Sequence, residues 1–296
     1  MLMIIRRLYL ILITVILIAA ISFAMRYDKT SEILSVDATE SEPVHLPIIM
    51  YHEVKYKKLG KDAISPYEFE SDLKFLQNNQ YHTITMTQLI DYVYHDEPLP
   101  EKPIILTFDD GYLNNYRFVL PLIKQYQVHI VFSLIGKNTD DFTEYPSDNI
   151  DYSHVTWDQL NEMIDSGYVE VQNHTYNLHS NQKGKRTGCM QDPNESLDDY
   201  QLLLTRDILI LQDKLLTKTG QLPNTFTYPY GKSSEKTDEI LKKLGFRATL
   251  SCNYGINVIT KDPEVLFGLK RISRSHGTTM EKVLKDASKT IKNKSK

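Results

Sequence analysis

Two rhythms of apolar residues organise this chain. Between Leu46 and Arg274, seven short runs (PIIMYHEV, PIILTFDD, HIVFSLIG, YVEVQNH, TFTYPYG, RATLSCN and GLKRISR) are continuous or alternate with period two, and each has the length of a strand. Most are separated by segments whose apolar residues recur at helical spacing. Ser65 followed by Pro66 opens one helix through Phe69, Leu73 and Leu76, and Thr85 with Gln88 forms a capping box before LIDYV. Thr156 caps a helix through Leu160, Met163 and Ile164 that Gly167 can end. A longer helix from about Glu195 to Lys218 is predicted to bury Leu197, Leu204, Ile208, Leu211 and Leu215, with Gly220 placed for a left-handed cap. Another, Ser234 to Leu244, stops at Gly245. Strands alternating with helices predict an α/β fold around a mostly parallel sheet, closed as a barrel or open as a doubly wound layer.

The amino terminus follows neither rhythm. Arg6 and Arg7 precede an apolar stretch from Leu8 to Met25, which covers roughly 27 Å as a helix, close to the thickness of a bilayer core. That pattern predicts a transmembrane anchor over residues 1–25, with the remainder of the chain outside the cell. A cleaved signal peptide is the alternative, because Ser22 and Ala24 are small enough for a cleavage site. The apolar run is longer than the usual signal core, which favours the anchor, and both readings export the domain. Residues 26–45 are polar and aperiodic and read as a stalk, leaving 46–296 as one domain, expected to act as a monomer.

Charge narrows the list of partners. The formal net charge is -4 and no basic face stands out, so nucleic acid is excluded as an expected partner. The two cysteines, Cys189 and Cys252, could pair in an oxidising compartment or stay as separate thiols; spacing does not decide.

Chemistry concentrates where the strand runs end. PIILTFDDGY closes an apolar strand with two adjacent carboxylates, Asp109 and Asp110, and an ionised carboxylate is costly to bury without compensation. Neighbours on a regular strand point to opposite faces, so the two share a site only if the chain leaves strand geometry there, which Gly111 permits. His174 and His179, five apart, converge on neither a helix nor a strand, but they do in a strand that runs into a curled loop. Two imidazoles and one carboxylate form a common ligand set for hydrolytic zinc and also suit Co2+, Ni2+ or Mn2+. YPYG at 228–231 fixes a turn after a strand, and MYHEV puts His52 at the end of the first strand of the domain.

In this order, the four stretches resemble the NodB-like polysaccharide deacetylases, carbohydrate esterase family 4, and in particular its branch of exported poly-N-acetylglucosamine deacetylases. TFDDG at 107–111 is similar to the first family motif, HTYNLH at 174–179 to the second and YPYG to the third, and the resemblance spans about Leu46 to Arg274. It implies a distorted (β/α) barrel of about seven strands. It also implies a divalent metal, zinc foremost, on Asp110, His174 and His179. Asp109 would be the general base, the Tyr230 backbone N–H an oxyanion donor, and His52 the general acid, with His276 ranked second.

Two departures accompany the resemblance. Many members carry an arginine two residues before the proline of the third motif, where this chain has Thr227, and a late Leu-x-His acid, a setting that His276 lacks. Arg271 or Arg274 is the expected replacement for the arginine, and Trp157, Tyr176 and Arg271 are the expected substrate contacts. The function expected is metal-dependent release of acetate from an extracellular N-acetylglucosamine polysaccharide. A non-catalytic glycan-binding barrel and an amidase or esterase with a non-carbohydrate substrate are the alternatives.

Overall fold

Burial on both faces is what makes the strands of this chain form a parallel sheet. In the computed structural model, which describes residues 42–181 and 186–292, β2 (Ile48–Tyr51), β6 (Pro103–Phe108) and β7 (Ile130–Leu134) are buried at every position. Between them in the chain lie β3 (Glu53–Val54), β4 (Ala63–Ile64) and β5 (His82–Thr83), with β1 (Val44–Leu46) ahead of them. After them come β8 (Val169–Asn173), β9 (Thr225–Thr227), β10 (Ala248–Leu250), β11 (Asn257–Ile259) and β12 (Ile272–Ser273). Seven strands run parallel in the order β10-β9-β8-β7-β6-β2-β12, with β5 added beside β6.

The sheet curls as a half-barrel because one segment touches both of its edges. Leu269 exchanges backbone hydrogen bonds with β10, donating to Thr249 O and accepting from Ser251 N–H, and a few residues later the same segment becomes β12 and pairs with β2. All seven strand runs read from the sequence appear in this sheet. The short ladders β1 with β11 and β3 with β4 do not show in the apolar pattern, since two or three residues carry no period. The β1 ladder also starts the folded unit earlier than the boundary at residue 46, because Val44 pairs with Ile259.

Alternation divides the sheet into two chemistries. Ile104, Leu106 and Phe108 of β6 join Phe132 and Leu134 in the larger apolar cluster, against helices α1 (Pro66–Asn78), α5 (Trp157–Asp165) and α8 (Met280–Lys292). On the opposite face Ile105 and Val131 pack with α2 (Met86–His95), while Thr107 and Ser133, two residues further along, are buried polar groups. α3 (Leu120–Tyr126) and α4 (Gly136–Glu144) connect the central strands. α6 (Leu197–Thr219) and α7 (Thr237–Lys243) flank β9 in sequence.

Helix ends follow their expected caps. Ser65 with Glu68, Thr85 with Gln88, and Thr156 with Gln159 each form a capping box, and Gly220 closes α6 in the left-handed region at φ 72. One core assignment changes. Leu197, the first residue of α6, is 44% exposed, because it precedes the turn at which Tyr200 and Leu204 begin the buried stripe. Among the described residues no helix is long and apolar enough to cross a membrane. The anchor expected over residues 1–25 and all but the end of the stalk expected over 26–45 lie outside the described residues.

One buried ion pair fastens the last strand to the first helix. Arg274 donates to Asp72 through Nε (2.8 Å) and Nη2 (3.0 Å), and the Tyr51 hydroxyl donates to the same carboxylate at 3.0 Å. Removing one member of such a pair leaves an uncompensated charge in the core. Arg274→Ala is therefore expected to lower stability by about 3–5 kcal/mol, read as a lower midpoint in urea denaturation with an unchanged slope.

Candidate active site

The two carboxylates at the end of β6 reach one site because the backbone turns out of strand geometry at both residues that follow Asp109. Asp110 and Gly111 are both left-handed, at φ 72 and φ 82. Asp109 still pairs as a strand residue, its N–H on Tyr51 O. The departure anticipated at Gly111 thus begins one residue earlier, at a residue type that tolerates this region better than most.

The histidines converge by the same device. His174 continues β8, donating its N–H to Leu134 O, and Thr175 then turns the chain at φ 74. The curled loop that follows is held from α6. Both carboxylate oxygens of Asp207 accept backbone hydrogen bonds, from Tyr176 and Asn177, each at 2.8 Å. Nε2 of His174 and of His179 lie 3.4 and 3.3 Å from Asp110 Oδ1, and the ligand atoms of the three residues all lie within 4.8 Å of one another.

This donor set fits a divalent cation on three counts. Asp110 Oδ1 is buried without a hydrogen-bond partner. His174 Nδ1 lies 2.7 Å from Thr227 O; as a donor there it leaves Nε2 with its lone pair facing the carboxylate. Burial, and then the neighbouring His174, push His179 down to about 4, which keeps it neutral near pH 7. Burial acts to raise the Asp110 carboxyl, but the imidazole of His174 foremost, with those of His52 and His179, outweighs it and holds the group well below the usual range.

Asp109 is occupied differently. Its Oδ1 accepts from Arg271 Nη1 at 2.8 Å, and its Oδ2 lies 3.9 Å from His52 Nε2. Arg271 is itself fully buried, and is fixed by donating from Nε to Ser251 O and from Nη1 to Thr107 Oγ1. Burial raises the Asp109 carboxyl, and the Arg271 guanidinium together with the His174 and His52 imidazoles more than offsets this, so the acid stays ionised. Arg271 thus gives Asp109 a guanidinium that Thr227, two residues before the proline of the third motif, does not carry. Arg274 faces away, on Asp72.

These groups line a cavity of about 570 Å³ that also takes in Lys61, Asp62, Tyr112, Tyr230, Cys252 and Tyr254. The Tyr230 ring sits 4.4 Å from that of His179. Gly231 has no alternative residue, because a Cβ there would lie 2.4 Å from Cys252 Cβ and 2.5 Å from its nitrogen. Neither cysteine is bonded to the other: Cys189 is buried with its thiol on Lys232 O, and Cys252 faces the cavity.

Three expected residues lie elsewhere. Trp157 is 5% exposed in the core, its indole N–H on Asp140, and the Tyr176 hydroxyl donates to the same carboxylate, so neither ring presents a face to the cavity. His276 is half exposed and bonded to Glu68 beside the start of α1, outside the cavity lining. Asp207 was not singled out from the sequence. Its signal was available, since it lies three residues after Leu204 and four before Leu211, on the buried stripe of α6, where a carboxylate needs a partner.

With this geometry in view, the comparisons assign the chain. Residues 96–249 match the family described as polysaccharide deacetylase, and the chain belongs to that family. It is 27% identical over 232 residues to a poly-β-1,6-N-acetyl-D-glucosamine N-deacetylase of Escherichia coli strain K12, a match that covers 70% of this chain and 34% of the relative. The chain thus spans about a third of that protein's length. It is 26% identical to the putative polysaccharide deacetylase YxkH of Bacillus subtilis strain 168, over 86% of this chain and 80% of the relative. The solved de-N-acetylase of Aggregatibacter actinomycetemcomitans superposes with a TM-score of 0.70 at 26% identity, over 82% of this chain and 99% of that one.

Asp207→Ala would release the loop that carries His179 without touching Asp110, His174 or His179. Loss of such supporting partners typically costs 10–100-fold in metal affinity. Titration of the purified protein with cobalt(II), followed by its absorption spectrum, is expected to show a drop of about that size.

Proposed function

We propose that this protein hydrolyses N-acetyl groups of an N-acetylglucosamine polysaccharide, releasing acetate and leaving free amines. The observation that carries this reading is the division of labour between adjacent carboxylates: Asp110 Oδ1 faces two imidazoles without a hydrogen bond, while both oxygens of Asp109 are turned to Arg271 and His52.

Asp110, His174 and His179 would hold a divalent cation, zinc foremost, and when bound it supplies Lewis acidity and brings the pKa of a water down to about 7. Asp109, kept ionised by Arg271, takes the proton from the water that attacks the acetamide carbonyl. The Tyr230 backbone N–H serves the developing oxyanion. The C–N bond then breaks, and His52, within reach of Asp109, gives the departing amine its proton. Arg271 acts on Asp109 and not on the sugar. Its presence removes the reason for favouring a non-catalytic glycan-binding barrel, which rested on the missing arginine.

The E. coli relative's name specifies a β-1,6-linked polymer, and that linkage is the substrate proposed for this chain. In the same reading residues 1–25 tether the domain to the membrane, with the site outside the cell where such a polymer lies.

Acetate release from poly-β-1,6-N-acetylglucosamine and from peptidoglycan glycan, each with and without a chelator, tests reaction, metal and linkage together. Release from the first polymer alone, abolished by the chelator and restored by zinc, is expected. Asp109→Asn should lose about 10²–10⁴ in kcat with metal still bound, the usual contribution of a general base, whereas His174→Ala should lose metal and activity together. No acetate from either polymer under any metal would overturn the reading.

A further inference from the structure

α6 carries an apolar stripe that its own fold does not use. Its inner face, with Tyr200, Leu204, Ile208, Leu211 and Leu215, is buried. Leu202, Leu209 and Leu216 are 69%, 47% and 50% exposed. At 100° per residue these three, seven apart, fall on one narrow stripe about 21 Å long, roughly 130° around the helix from the buried one. The concentration is selective. Among the described residues, every exposed leucine lies on α6 or beside its ends, the other two being Leu197 and Leu222.

The charges on the stripe say what covers it. Arg206 and Asp213 are exposed, lie within the same arc, and have no ion-pair partner among the described residues. Two copies of α6 packed antiparallel about an axis between Leu209 and Ile210 bring Arg206 opposite Asp213 of the partner subunit, since 206 and 213 lie equally far from that axis. The same operation brings Leu209 and Leu209 of the partner subunit, and Leu202 and Leu216 of the partner subunit, to within one residue, about 1.5 Å along the helix, of being level. A parallel pair would instead stack like charges at both positions, which disfavours it. Three leucines a side fall short of the roughly 800 Å² per partner of a standard interface. A groove of about 460 Å³ beside the stripe, whose lining includes Tyr176, Leu178, Leu202, Leu203, Arg206 and Ile210, adds further surface where Leu216 of the partner subunit would arrive.

We propose that a second copy of this chain docks on the Leu202–Leu209–Leu216 face of α6, forming a two-fold antiparallel helix pair closed by reciprocal Arg206–Asp213 ion pairs. The proposal does not depend on the catalytic reading.

The test is disulfide cross-linking of the full chain in the cells that express it, with the unaltered chain setting the background from Cys189 and Cys252. Leu209→Cys, near the axis, is expected to give a dimer-sized band that reductant removes. Asp198→Cys, which the antiparallel arrangement holds about 35 Å from its counterpart, is expected to give none. In the Leu209→Cys background, Arg206→Asp should lower the cross-linked fraction several-fold, and adding Asp213→Arg should restore it. Absence of the Leu209→Cys dimer, a mixed adduct with a different protein, a band at Asp198→Cys, or no recovery in the charge-swapped chain would each overturn the proposal. Retention of acetate release or of the urea midpoint shows that each variant is folded.

Discussion

Two neighbouring carboxylates, 2% and 7% exposed, sit at the end of a core strand, and the rest of the site follows from how their charges are compensated. An ionised carboxylate out of water needs a cation or a set of donors. Asp109 has a permanent one in Arg271, which is 162 positions away in the chain and bonds it at 2.8 Å. Asp110 has the imidazoles of His174 and His179 and the Tyr112 phenol around it, and its Oδ1 has no donor at all. The two acids therefore cannot exchange roles. One is fixed between a guanidinium and an imidazole, and the other keeps an oxygen open toward His174 and His179.

The sheet supplies this arrangement by register more than by loop length. Tyr51 lies beside Phe108 in the β2–β6 ladder, so His52 and Asp109 emerge from adjacent strands at the same level. Leu134 pairs with Asn173 and Asn173 with Phe226, which brings His174 level with Thr227, whose carbonyl it needs. Beneath the site the buried face is polar: Thr107 bonds Ile49 O and Arg271, and Ser133 bonds Thr227. Thr107, with the Ser251 carbonyl, Asp109 and Cys252, gives the guanidinium its partners in the sheet interior.

The strands and caps were legible because each is a local pattern. The pairing of Arg271 with Asp109 came only from the family resemblance, as one of two candidates with Arg274, since nothing in either segment names the other. Even so, the sequence held more than was read from it. Arg271 and Arg274 are three apart around a strand, an odd offset that sends them to opposite faces, so only one could ever reach the site; the other went to Asp72. Trp157 and Tyr176 lie outside the cavity lining for a different reason. An aromatic after a helix cap or beside His174 looks available, but Asp140 offers both of them a hydrogen bond, which holds the Trp157 ring in the core and leaves the Tyr176 ring partly buried beside the outer groove.

α6 answers to two demands, and its sequence separates them by face. Asp207 looks inward, raised by burial and held by the two amides of the histidine loop, so any displacement of the helix is transmitted to the segment between His174 and His179. Arg206, its immediate neighbour, looks outward on the leucine stripe, one residue and about 100° away. A weight placed on the outer face thus bears on the same turn that fixes the curled loop. Tyr176 belongs to both sides of this boundary: its amide is bound by Asp207, while its ring lines the outer groove. The position of the second imidazole thus depends on the packing of a helix whose exposed side carries the leucine stripe, through the two amides that Asp207 holds.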